Sequence, residues 1–488
     1  MSKSFFFYDF ETDGSDPTTC RPVQFAGIRT DESLRIVKGD ETVLWCRPPM
    51  DRLPAPEACL VTGITPQQAA ARGVTERSFF GDIHKGLIQA KTTSLGWNSL
   101  RFDDVVCRFG FWRNFLDPYE HTWRNGCTAW DLIDLARAAR ALRPDGLTWP
   151  DHDSGLPSFK LEDLAAANGI EHEDAHDALS DVRATIALGK LIQKSQPDLW
   201  NWAQSLTDTK KAEKELRSSE PLVHVSARIP AELGCTSPIR VLAEHPRNKR
   251  SFLCWDLRHD PGELLEADVD AIMHRTFTKQ EDLSEGETRF AIKEVKSNRA
   301  PFLAPLGVLK SADQDRIQLD EATWRAHDAK LTANARVLDQ LQSRLQKAWK
   351  PRPETELDAE DALYVDFPGD ADIRLRNRVS RTRDSALAEL GDQFQDPRLQ
   401  ALMLHYRARE APGTLDSSER KAWDERCRER IANPPKDHDQ AWPAWLDHVR
   451  SLEREPGRTK DDKKILAAVE SWGIEQAARL GLPVPAET

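Results

Sequence analysis

Four carboxylates in three separate stretches of the chain are the residues best suited to carry out chemistry. Asp9 and Glu11 end the apolar run FFFYDFET, and two further stretches, NSLRFDD and AHDALSD, supply Asp103 and Asp181. Converging carboxylates repel one another unless cations neutralise them, and hard oxygen ligands select Mg²⁺ or Mn²⁺. Two such ions about 3.5–4 Å apart form the clamp used for in-line phosphoryl displacement. These residue types predict metal-assisted phosphodiester hydrolysis, provided that the fold brings them together.

A histidine, His176, stands five residues before Asp181 in the same stretch. A neutral imidazole beside a water molecule can take its proton near working pH. Each motif alone has an ordinary alternative: a solvated strand end for DxE, a helix-dipole complement for FDD, and plain helix surface for HxxxxD. Their order and spacing within one domain-sized block favour the catalytic interpretation.

The block that contains these residues, 1–192, alternates strands and helices and predicts an α/β layer fold with helices packed on a mixed sheet. Side chains two residues apart on a strand share a face, so Asp9 and Glu11 project together from the first strand. Asp103 is predicted near the start of a helix that follows the strand TTSLGWN. If the helix DALSDVRATIALGKLIQK begins near His176, Asp181 lies in its second turn.

Beyond this block the pattern of predicted secondary structure changes twice. Residues 195–348 contain the strand-like segments PLVHVSA, IRVLAEHP and SFLCWDLRHD and predict a smaller β-rich domain. One long helix, EATWRAHDAKLTANARVLDQLQSRLQKAW, is predicted to close that domain. Residues 354–484 follow a proline-containing acidic linker and read as mostly helical. Within the first block, residues 1–192, a further helix is predicted over AWDLIDLARAARAL.

The overall composition is that of a soluble globular protein, with 39% hydrophobic and 30% charged residues in a chain of 488. No apolar run has the length of a membrane span, and no signal peptide is recognisable. The eight cysteines are scattered without a CxxC pair, which predicts reduced thiols and a cytoplasmic protein. The net charge of −12 argues weakly against a nucleic-acid partner, because a local basic groove decides that question.

The three acidic motifs resemble the DEDDh family of 3′→5′ exonucleases, and the histidine in AHDALSD marks its "h" branch. The likeness extends to RPVQFAGI, LVTGITPQ, ALRPDGLTWP, GLPSFKLED and YRAREAPGTL, which resemble the bacterial exonuclease I family. This resemblance implies a ribonuclease-H-like exonuclease domain over 1–192, an SH3-like domain over 195–348 and a C-terminal helical domain over 354–484. It also implies that these domains surround a channel for single-stranded DNA.

The resemblance further implies roles for the matched positions. Two Mg²⁺ ions, with Mn²⁺ as a substitute, would be held with the water-bearing ion on Asp9, Glu11 and Asp181. Asp103 would contribute to the second ion through its water shell, and His176 would be the general base. The predicted activity is degradation of single-stranded DNA from the 3′ end to 5′-mononucleotides, in DNA repair and recombination.

Substrate contacts are implied in the same way. Single strands are gripped by positive grooves and aromatic platforms. The resemblance places Arg108, Tyr119, Trp123 and Arg137 along the DNA, and Glu11 is also expected to contact the substrate. The loop KSNRAP, with Asn298 and Arg299, is a further predicted DNA contact from the middle domain. Lys160 stands where relatives carry arginine, so it keeps the positive charge of a terminal phosphate contact but loses the bidentate fork. Phe109 and Trp112 have helical spacing from Val105 and are predicted core residues instead.

The sequence leaves the role of two basic stretches open. Residues 373–383, IRLRNRVSRTR, hold five arginines and no acid, and a predicted helix from Arg325 to Arg352 carries seven basic side chains. Such runs are usually solvated faces, but they could line the channel or bind an acidic peptide. The resemblance implies such a peptide, the acidic C-terminal tail of the single-stranded-DNA-binding protein. A monomer is expected, with no membrane partner.

Two other functions compete with this prediction. One is an RNA-trimming or proofreading DEDDh enzyme, which would need only the first block. The other is a catalytically inactive single-stranded-DNA-binding protein, against which the presence of all five predicted site residues argues.

Overall fold

The structure, a computed structural model, describes residues 3–172, 177–348, 357–434 and 440–485. The chain forms two compact units. The first unit is assembled from three separate segments, Met1–Cys127, Glu173–Arg183 and Thr355–Thr488. The second unit comprises Thr128–His172 and Ala184–Glu354. The C-terminal helical block therefore shares a unit with the segment that carries Asp9, Glu11 and Asp103.

Strands and helices alternate at the start of the chain. The elements up to residue 195 are β1 (Ser4–Thr12), β2 (Pro22–Thr30), β3 (Ile36–Trp45), α1 (Pro56–Thr62), α2 (Pro66–Arg72), α3 (Glu76–Leu87), β4 (Thr92–Gly96), α4 (Asp103–Arg113), β5 (Thr128–Asp131), α5 (Leu132–Leu142), α6 (Leu161–Ala167) and α7 (Ala178–Ser195).

Helices and short strands mix in the middle of the chain, and helices alone follow. The middle elements are α8 (Pro197–Ser205), α9 (Thr209–Leu216), β6 (Leu222–Val225), β7 (Thr236–Glu244), β8 (Ser251–Asp256), α10 (Gly262–Glu266), α11 (Val269–Phe277), β9 (Ile292–Lys296), β10 (Phe302–Pro305), α12 (Ser311–Arg316), α13 (Glu321–Ala333) and α14 (Ala335–Ala348). The last are α15 (Asp370–Val379), α16 (Leu387–Gly391), α17 (Pro397–Glu410), α18 (Ser417–Ala432), α19 (Ala444–Arg454) and α20 (Lys460–Arg479). Within the described ranges, no helix combines the length and apolarity that a membrane crossing requires.

The sheet of the first unit is mixed, as predicted. Strand β1 pairs antiparallel with β2, with Glu11 opposite Gln24, and parallel with β4, with Phe7 opposite Leu95. Strand β2 pairs antiparallel with β3. The consecutive aromatic residues of β1 are buried on both faces of the strand, which is the pattern of a central strand covered on both sides.

Helix α4 packs against two cores of the first unit. Phe111 and Cys107 join the core that contains Phe25 of β2 and Phe80 of α3. Phe109 and Trp112 point into a second core, formed with C-terminal residues such as Leu399, Leu402 and Tyr406. The prediction that Phe109 and Trp112 are core residues is confirmed. Because α4 begins at Asp103, its two packed faces fix the position of that carboxylate.

A buried ion network lies within the first unit and is centred on Glu360, a fully buried carboxylate. Glu360 forms ion pairs with Arg21 and Arg409, and an Arg426 nitrogen lies 3.7 Å from it. Burial alone would raise the pKa of Glu360, but the charges of Arg409, Arg426 and Arg21 outweigh it and hold that pKa well below its usual value. The network thus joins the sheet segment to the C-terminal helices electrostatically.

The second unit contains a five-stranded antiparallel sheet in the order β10-β6-β7-β8-β9. Its core includes Leu222, Ile239, Phe252 and Leu303, together with Leu206 and Leu216 from the preceding helices. The prediction of a β-rich middle region is confirmed. All eight cysteines of the chain are free, buried thiols, as the scattered pattern predicted.

Three predictions about local structure were wrong. Residues 129–131 lie in strand β5 rather than at the start of a helix, and Asp131 accepts a hydrogen bond from the Ile133 N–H as the N-cap of α5. The long helix predicted after residue 320 is interrupted at Asn334, the C-cap of α13, whose side chain donates a hydrogen bond to the Lys330 carbonyl. Asp181 lies in the first turn of α7, not the second.

Candidate metal centre and nucleic-acid surfaces

Three of the four predicted carboxylates meet in the first unit. Oxygen atoms of Asp9, Glu11 and Asp181 all lie within 4.8 Å of one another. Asp9 and Glu11 reach this point from one face of β1, where the strand period of two aligns them. Glu11 is buried, while Asp9 and Asp181 are half-buried. Three carboxylates at this spacing provide hard oxygen ligands and no other donor type, which suits Mg²⁺ or Mn²⁺.

Gln24 brings Asp181 to this cluster, and sequence reasoning missed it. Gln24 is the β2 residue opposite Glu11, and its side chain is buried. Its Nε2 donates to Asp177 Oδ2 at 3.1 Å, and its Oε1 accepts from the Ala178 N–H at 3.2 Å. Asp177 also accepts from the Leu179 N–H at 3.2 Å. The start of α7 is therefore fastened to the sheet beside Glu11, and a buried glutamine on a strand was the available signal.

The cluster carries more negative charge than its surroundings neutralise. Burial first, then the charge of Asp103, then those of Glu11 and Asp181, raise the pKa of Asp9 well above its usual value. Burial, followed by the charges of Asp181 and Asp103, raises the pKa of Glu11 to about 9. Without a cation, burial and mutual repulsion favour the protonated forms of Asp9 and Glu11. The donor set and its electrostatics both fit divalent cations.

Asp103 lies at the edge of the cluster. It is the first residue of α4, and its Oδ1 accepts a hydrogen bond from the Phe10 N–H at 3.0 Å. It is buried, and its charge contributes to the raised pKa values of Asp9 and Glu11. Asp103 does not belong to the group of ligand atoms within 4.8 Å of one another. The fourth predicted carboxylate therefore lies beside the other three, but outside the set whose oxygen atoms are within 4.8 Å of one another. His176 lies outside the described residues.

A second buried acid, Asp104, organises a predicted DNA contact and was also missed by sequence reasoning. Asp104 Oδ2 lies 2.9 Å from Arg108 Nε, and Asp104 Oδ1 lies 2.8 Å from His121 Nε2. The guanidinium of Arg108 is 5.1 Å from the ring centre of Tyr119. Trp123 follows on the surface and is 62% exposed. Arg108, Tyr119 and Trp123 thus lie along one side of the first unit.

The other predicted DNA contacts lie in the second unit. Arg137 is largely buried, pairs with Asp134 at 2.7 Å, and stacks over Phe159. Lys160 is exposed at the N-cap of α6, with its ammonium 3.7 Å from a Glu162 oxygen. Asn298 and Arg299 belong to the short 3₁₀ turn Ser297–Arg299, where Asn298 is exposed and Arg299 half-exposed.

A cavity of about 580 Å³ opens beside Glu11 in the first unit. Its wall combines residues next to the carboxylates, such as Phe102, with side chains of the C-terminal helices, such as Trp445 and His448. The volume is in the range of pockets that hold small organic ligands. The C-terminal helices therefore complete the space next to the candidate metal centre.

Three family models match the chain in succession. They describe an exonuclease (residues 6–188), the exonuclease I SH3-like domain (residues 208–349) and the exonuclease I C-terminal domain (residues 357–476). The chain is also 41% identical over 477 residues to exodeoxyribonuclease I of Escherichia coli K12, which covers 97% of this chain and 98% of the relative. This chain belongs to the exonuclease I family.

Solved structures of family members agree with the fold. Exonuclease I of Methylocaldum szegediense has a TM-score of 0.90 and 38% identity, covering 97% of this chain and 99% of that one. Escherichia coli exonuclease I in complex with a dA16 oligonucleotide has a TM-score of 0.90 and 37% identity, covering 97% and 100%. A structure of SSB and exonuclease I with the inhibitor CFAM has a TM-score of 0.87 and 36% identity, covering 98% and 100%. The exonuclease fold with SH3-like and C-terminal parts, predicted from the sequence, is thereby confirmed.

Proposed function

We propose that this member of the exonuclease I family hydrolyses single-stranded DNA from its 3′ end and releases 5′-mononucleotides. The observation that carries the proposal is the meeting of Asp9, Glu11 and Asp181 oxygens within 4.8 Å of one another. The whole-length identity to exodeoxyribonuclease I and the likeness to a family member solved with a DNA oligonucleotide support the choice of substrate. DNA repair and recombination are the processes in which such an activity serves.

Two Mg²⁺ ions are the proposed cofactors, with Mn²⁺ as a substitute. Asp9, Glu11 and Asp181 would hold the first ion, and Asp103 would reach the second through water. The raised pKa values of Asp9 and Glu11 support this assignment, because cation binding relieves the repulsion that raises them. When bound, such ions supply a nucleophile at neutral pH and stabilise the charge that develops on the leaving oxygen.

The protein groups orient the substrate and move the proton. His176 would accept the proton of the attacking water, as its place in the DEDDh motif implies. Glu11 would accept a hydrogen bond from the terminal 3′ hydroxyl. Lys160 would contact the terminal phosphate as a point charge, because an ammonium lacks the bidentate fork of arginine. The cavity beside Glu11 is large enough to receive the terminal nucleoside, with Phe102 and Trp445 in its wall.

The remaining contacts concern the strand and a protein partner. Arg108, Tyr119 and Trp123 in the first unit, and Arg137, Asn298 and Arg299 in the second, would contact the rest of the strand. The acidic C-terminal tail of the single-stranded-DNA-binding protein is the proposed protein partner, supported by the likeness to a family member solved with SSB. We expect the protein to act as a monomer.

Digestion of a 5′-labelled oligothymidine with Mg²⁺ tests the proposal. We expect the labelled oligonucleotide to shorten in single-nucleotide steps and 5′-mononucleotides to accumulate. No cleavage is expected in EDTA. Asp9→Ala should abolish cleavage and retain DNA binding, which separates an enzyme from a binding protein. Faster digestion of an RNA of matched sequence would contradict the substrate assignment and favour an RNA-trimming enzyme. Release of dinucleotides or of 3′-phosphorylated products would contradict the reaction.

A further inference from the structure

The cavity beside Glu11 is larger than one nucleoside requires. An apolar cavity of about 150 Å³ holds one benzene ring, which corresponds to about 25 Å³ for each non-hydrogen atom. On this scale the volume of about 580 Å³ accommodates roughly 23 such atoms, whereas a thymidine nucleoside has about 17. A nucleoside in this cavity therefore leaves space for one further aromatic ring.

The wall of this cavity is formed largely by apolar side chains. Phe102, the N-cap residue of α4, belongs to the wall next to the carboxylates, and Ile431 and Trp445 belong to it on the side of the C-terminal helices. Val61, in the last turn of α1, also lines the cavity and is 55% exposed. An aromatic ring among these side chains would be removed from water, which is favourable.

Direct contacts hold the two sides of the cavity at a fixed separation. The indole N–H of Trp445 on α19 donates to the Pro54 carbonyl at 2.8 Å, and His448 on the same helix pairs with Glu57 of α1. The Trp445 ring also packs closely against Gly473 of α20, where an added Cβ would lie 2.1 Å from Cζ3 of the ring. The cavity is therefore formed before a ligand binds, which lowers the entropy lost on binding.

The charged residues of the wall other than Glu11 have partners of their own. Arg52 donates to the Thr19 carbonyl, and its Nε lies 3.4 Å from Asp13 Oδ2. Arg430 Nη1 lies 3.3 Å from Asp358 Oδ2, and the remaining two charged residues form the histidine–glutamate pair described above. A pocket rejects an analogue strongly when binding leaves its buried polar groups unpaired. These groups are already paired, so an apolar substituent would not deprive them of a partner.

The position of the cavity relative to the carboxylates determines which part of the substrate enters it. Glu11 belongs both to the candidate metal centre and to the cavity wall. With the terminal 3′ hydroxyl at Glu11 and the scissile phosphate at the metal ions, the base of the terminal nucleotide extends into the cavity. A substituent on that base would occupy the remaining space.

We propose that the enzyme also removes 3′-terminal nucleotides whose base carries a bulky apolar substituent, such as an aromatic ring. This inference rests on the proposed function and adds chemically modified DNA ends to its substrates. In the reaction, water attacks the terminal phosphorus and the bond to the 3′ oxygen of the preceding nucleotide breaks. That oxygen takes up a proton, and the substituted 5′-mononucleotide leaves, so one water molecule is consumed and nothing is oxidised or reduced.

Digestion of two 5′-labelled oligothymidines by the full-length protein with Mg²⁺ tests this inference. One oligonucleotide ends in thymidine and the other in 5-phenyl-2′-deoxyuridine, and the rate of removal of the terminal nucleotide is measured for each. In the wild type the two kcat/KM values should agree within about 5-fold, which is less than the roughly 10–200-fold that a hydrophobic pocket imposes on a group that does not fit it.

Val61→Trp tests whether the phenyl group occupies the cavity. The substitution adds about seven non-hydrogen atoms, which take up about 175 Å³ on the scale used above and so fill the space for one ring. The ratio of kcat/KM for the thymidine end to that for the phenyl end should rise about 10-fold or more. Because both values come from the same protein sample, partial misfolding cancels in the ratio. Val43→Trp is the matched control, since Val43 is 41% exposed on β3, and its ratio should equal that of the wild type.

The outcomes distinguish this inference from the proposed function. Failure of the wild type to remove the unmodified terminal nucleotide would contradict the proposed function itself. Normal removal of thymidine, with a loss of about 10-fold or more on the phenyl-substituted end, would overturn the further inference alone. An unchanged ratio in Val61→Trp would also overturn it, because the substituent would then lie outside the cavity.

Discussion

Asp103 Oδ1 accepts a hydrogen bond of 3.0 Å from the backbone N–H of Phe10, the residue between Asp9 and Glu11. The paired part of β4 ends opposite Phe7, so this N–H on β1 would otherwise lack a strand partner. The first residue of α4 replaces that partner. Asp103 therefore has a structural task in addition to its proposed contribution to the second ion.

Two substitutions distinguish the structural task of Asp103 from its proposed contribution to metal binding. Asp103→Asn keeps an oxygen acceptor for the Phe10 N–H and loses the charge, whereas Asp103→Ala loses both. We expect both variants to lose nuclease activity, and only Asp103→Ala to lose about 1–3 kcal/mol of unfolding free energy, the cost of a buried unsatisfied donor. Urea denaturation and an oligothymidine digestion measure the two effects. Equal stability of the two variants would contradict the structural task.

Asp9→Asn should stabilise the protein in the absence of metal. The folded-state pKa of Asp9 is raised, and that of Glu11 is raised to about 9, so deprotonation of either group opposes folding. The unfolding free energy of the metal-free wild type should therefore fall as the pH rises from the ordinary carboxyl pKa toward 9.

Removing one repelling charge reduces this loss. In EDTA the Tm of Asp9→Asn should exceed that of the wild type at pH 8, and the difference should shrink at pH 5. With excess Mg²⁺ at pH 8 the order should reverse, because the wild type binds the ion and gains stability by mass action. A wild-type Tm in EDTA that is independent of pH between 5 and 9 would refute the electrostatic account.

Gln24→Leu tests whether the fastening of α7 positions Asp181. The substitution removes the hydrogen bonds to Asp177 and the Ala178 N–H and introduces no charge. We expect the Mg²⁺ concentration for half-maximal rate to rise about 10-fold or more, as for the loss of groups that orient metal ligands. Gln68→Leu, at an exposed position of α2, is the control. A lowered kcat with unchanged Mg²⁺ dependence would indicate a general packing defect instead.

Lys160→Arg should improve substrate binding. Lys160 is exposed, and among the described residues its ion pair is a 3.7 Å contact with Glu162, so an arginine at this position has room to form a bidentate phosphate contact. We expect the KM for oligothymidine to fall several-fold with little change in kcat. Lys160→Gln should raise the KM. If neither variant changes the KM, Lys160 does not contact the substrate.

Glu360→Gln should destabilise the first unit severely. Removing one partner from a buried ion network leaves the others uncompensated, which costs about 3–5 kcal/mol. Here Arg21, Arg409 and Arg426 would lose the negative charge that they share, and an NH₂ donor would replace one of the two acceptor oxygens. Thermal unfolding should show a Tm lowered by many degrees, whereas Asp461→Asn, in a solvated pair with Lys464, should leave the Tm unchanged. A small effect at Glu360 would mean that the arginines repack without it.

The sequence predicted the parts of the candidate site that depend on local periodicity. The period of two on β1 was sufficient to align Asp9 and Glu11, and the position of Asp103 after β4 followed from the order of elements. Gln24 and Asp104 were not predicted, because a buried polar side chain acquires its role from the partner that the tertiary fold brings to it.

The basic stretch 373–383 illustrates a further limit. Its five arginines are equivalent in the sequence, yet Arg376 is buried against Asp117 while Arg374 and Arg378 are exposed. The position of each arginine around the helix, relative to the neighbouring core, determines whether its side chain is buried or exposed. Charge counting alone therefore could not distinguish a structural arginine from one that is available to a phosphate.

The assembly of the first unit from three segments has a consequence for biosynthesis. About 230 residues separate its first segment from its last, and at roughly 5–20 residues per second a ribosome needs about 10–45 s to synthesise them. During that interval Asp9 and Glu11 are already outside the ribosome, while Glu360 and Trp445 do not yet exist. The first unit therefore stays incomplete in the nascent chain until translation is nearly finished.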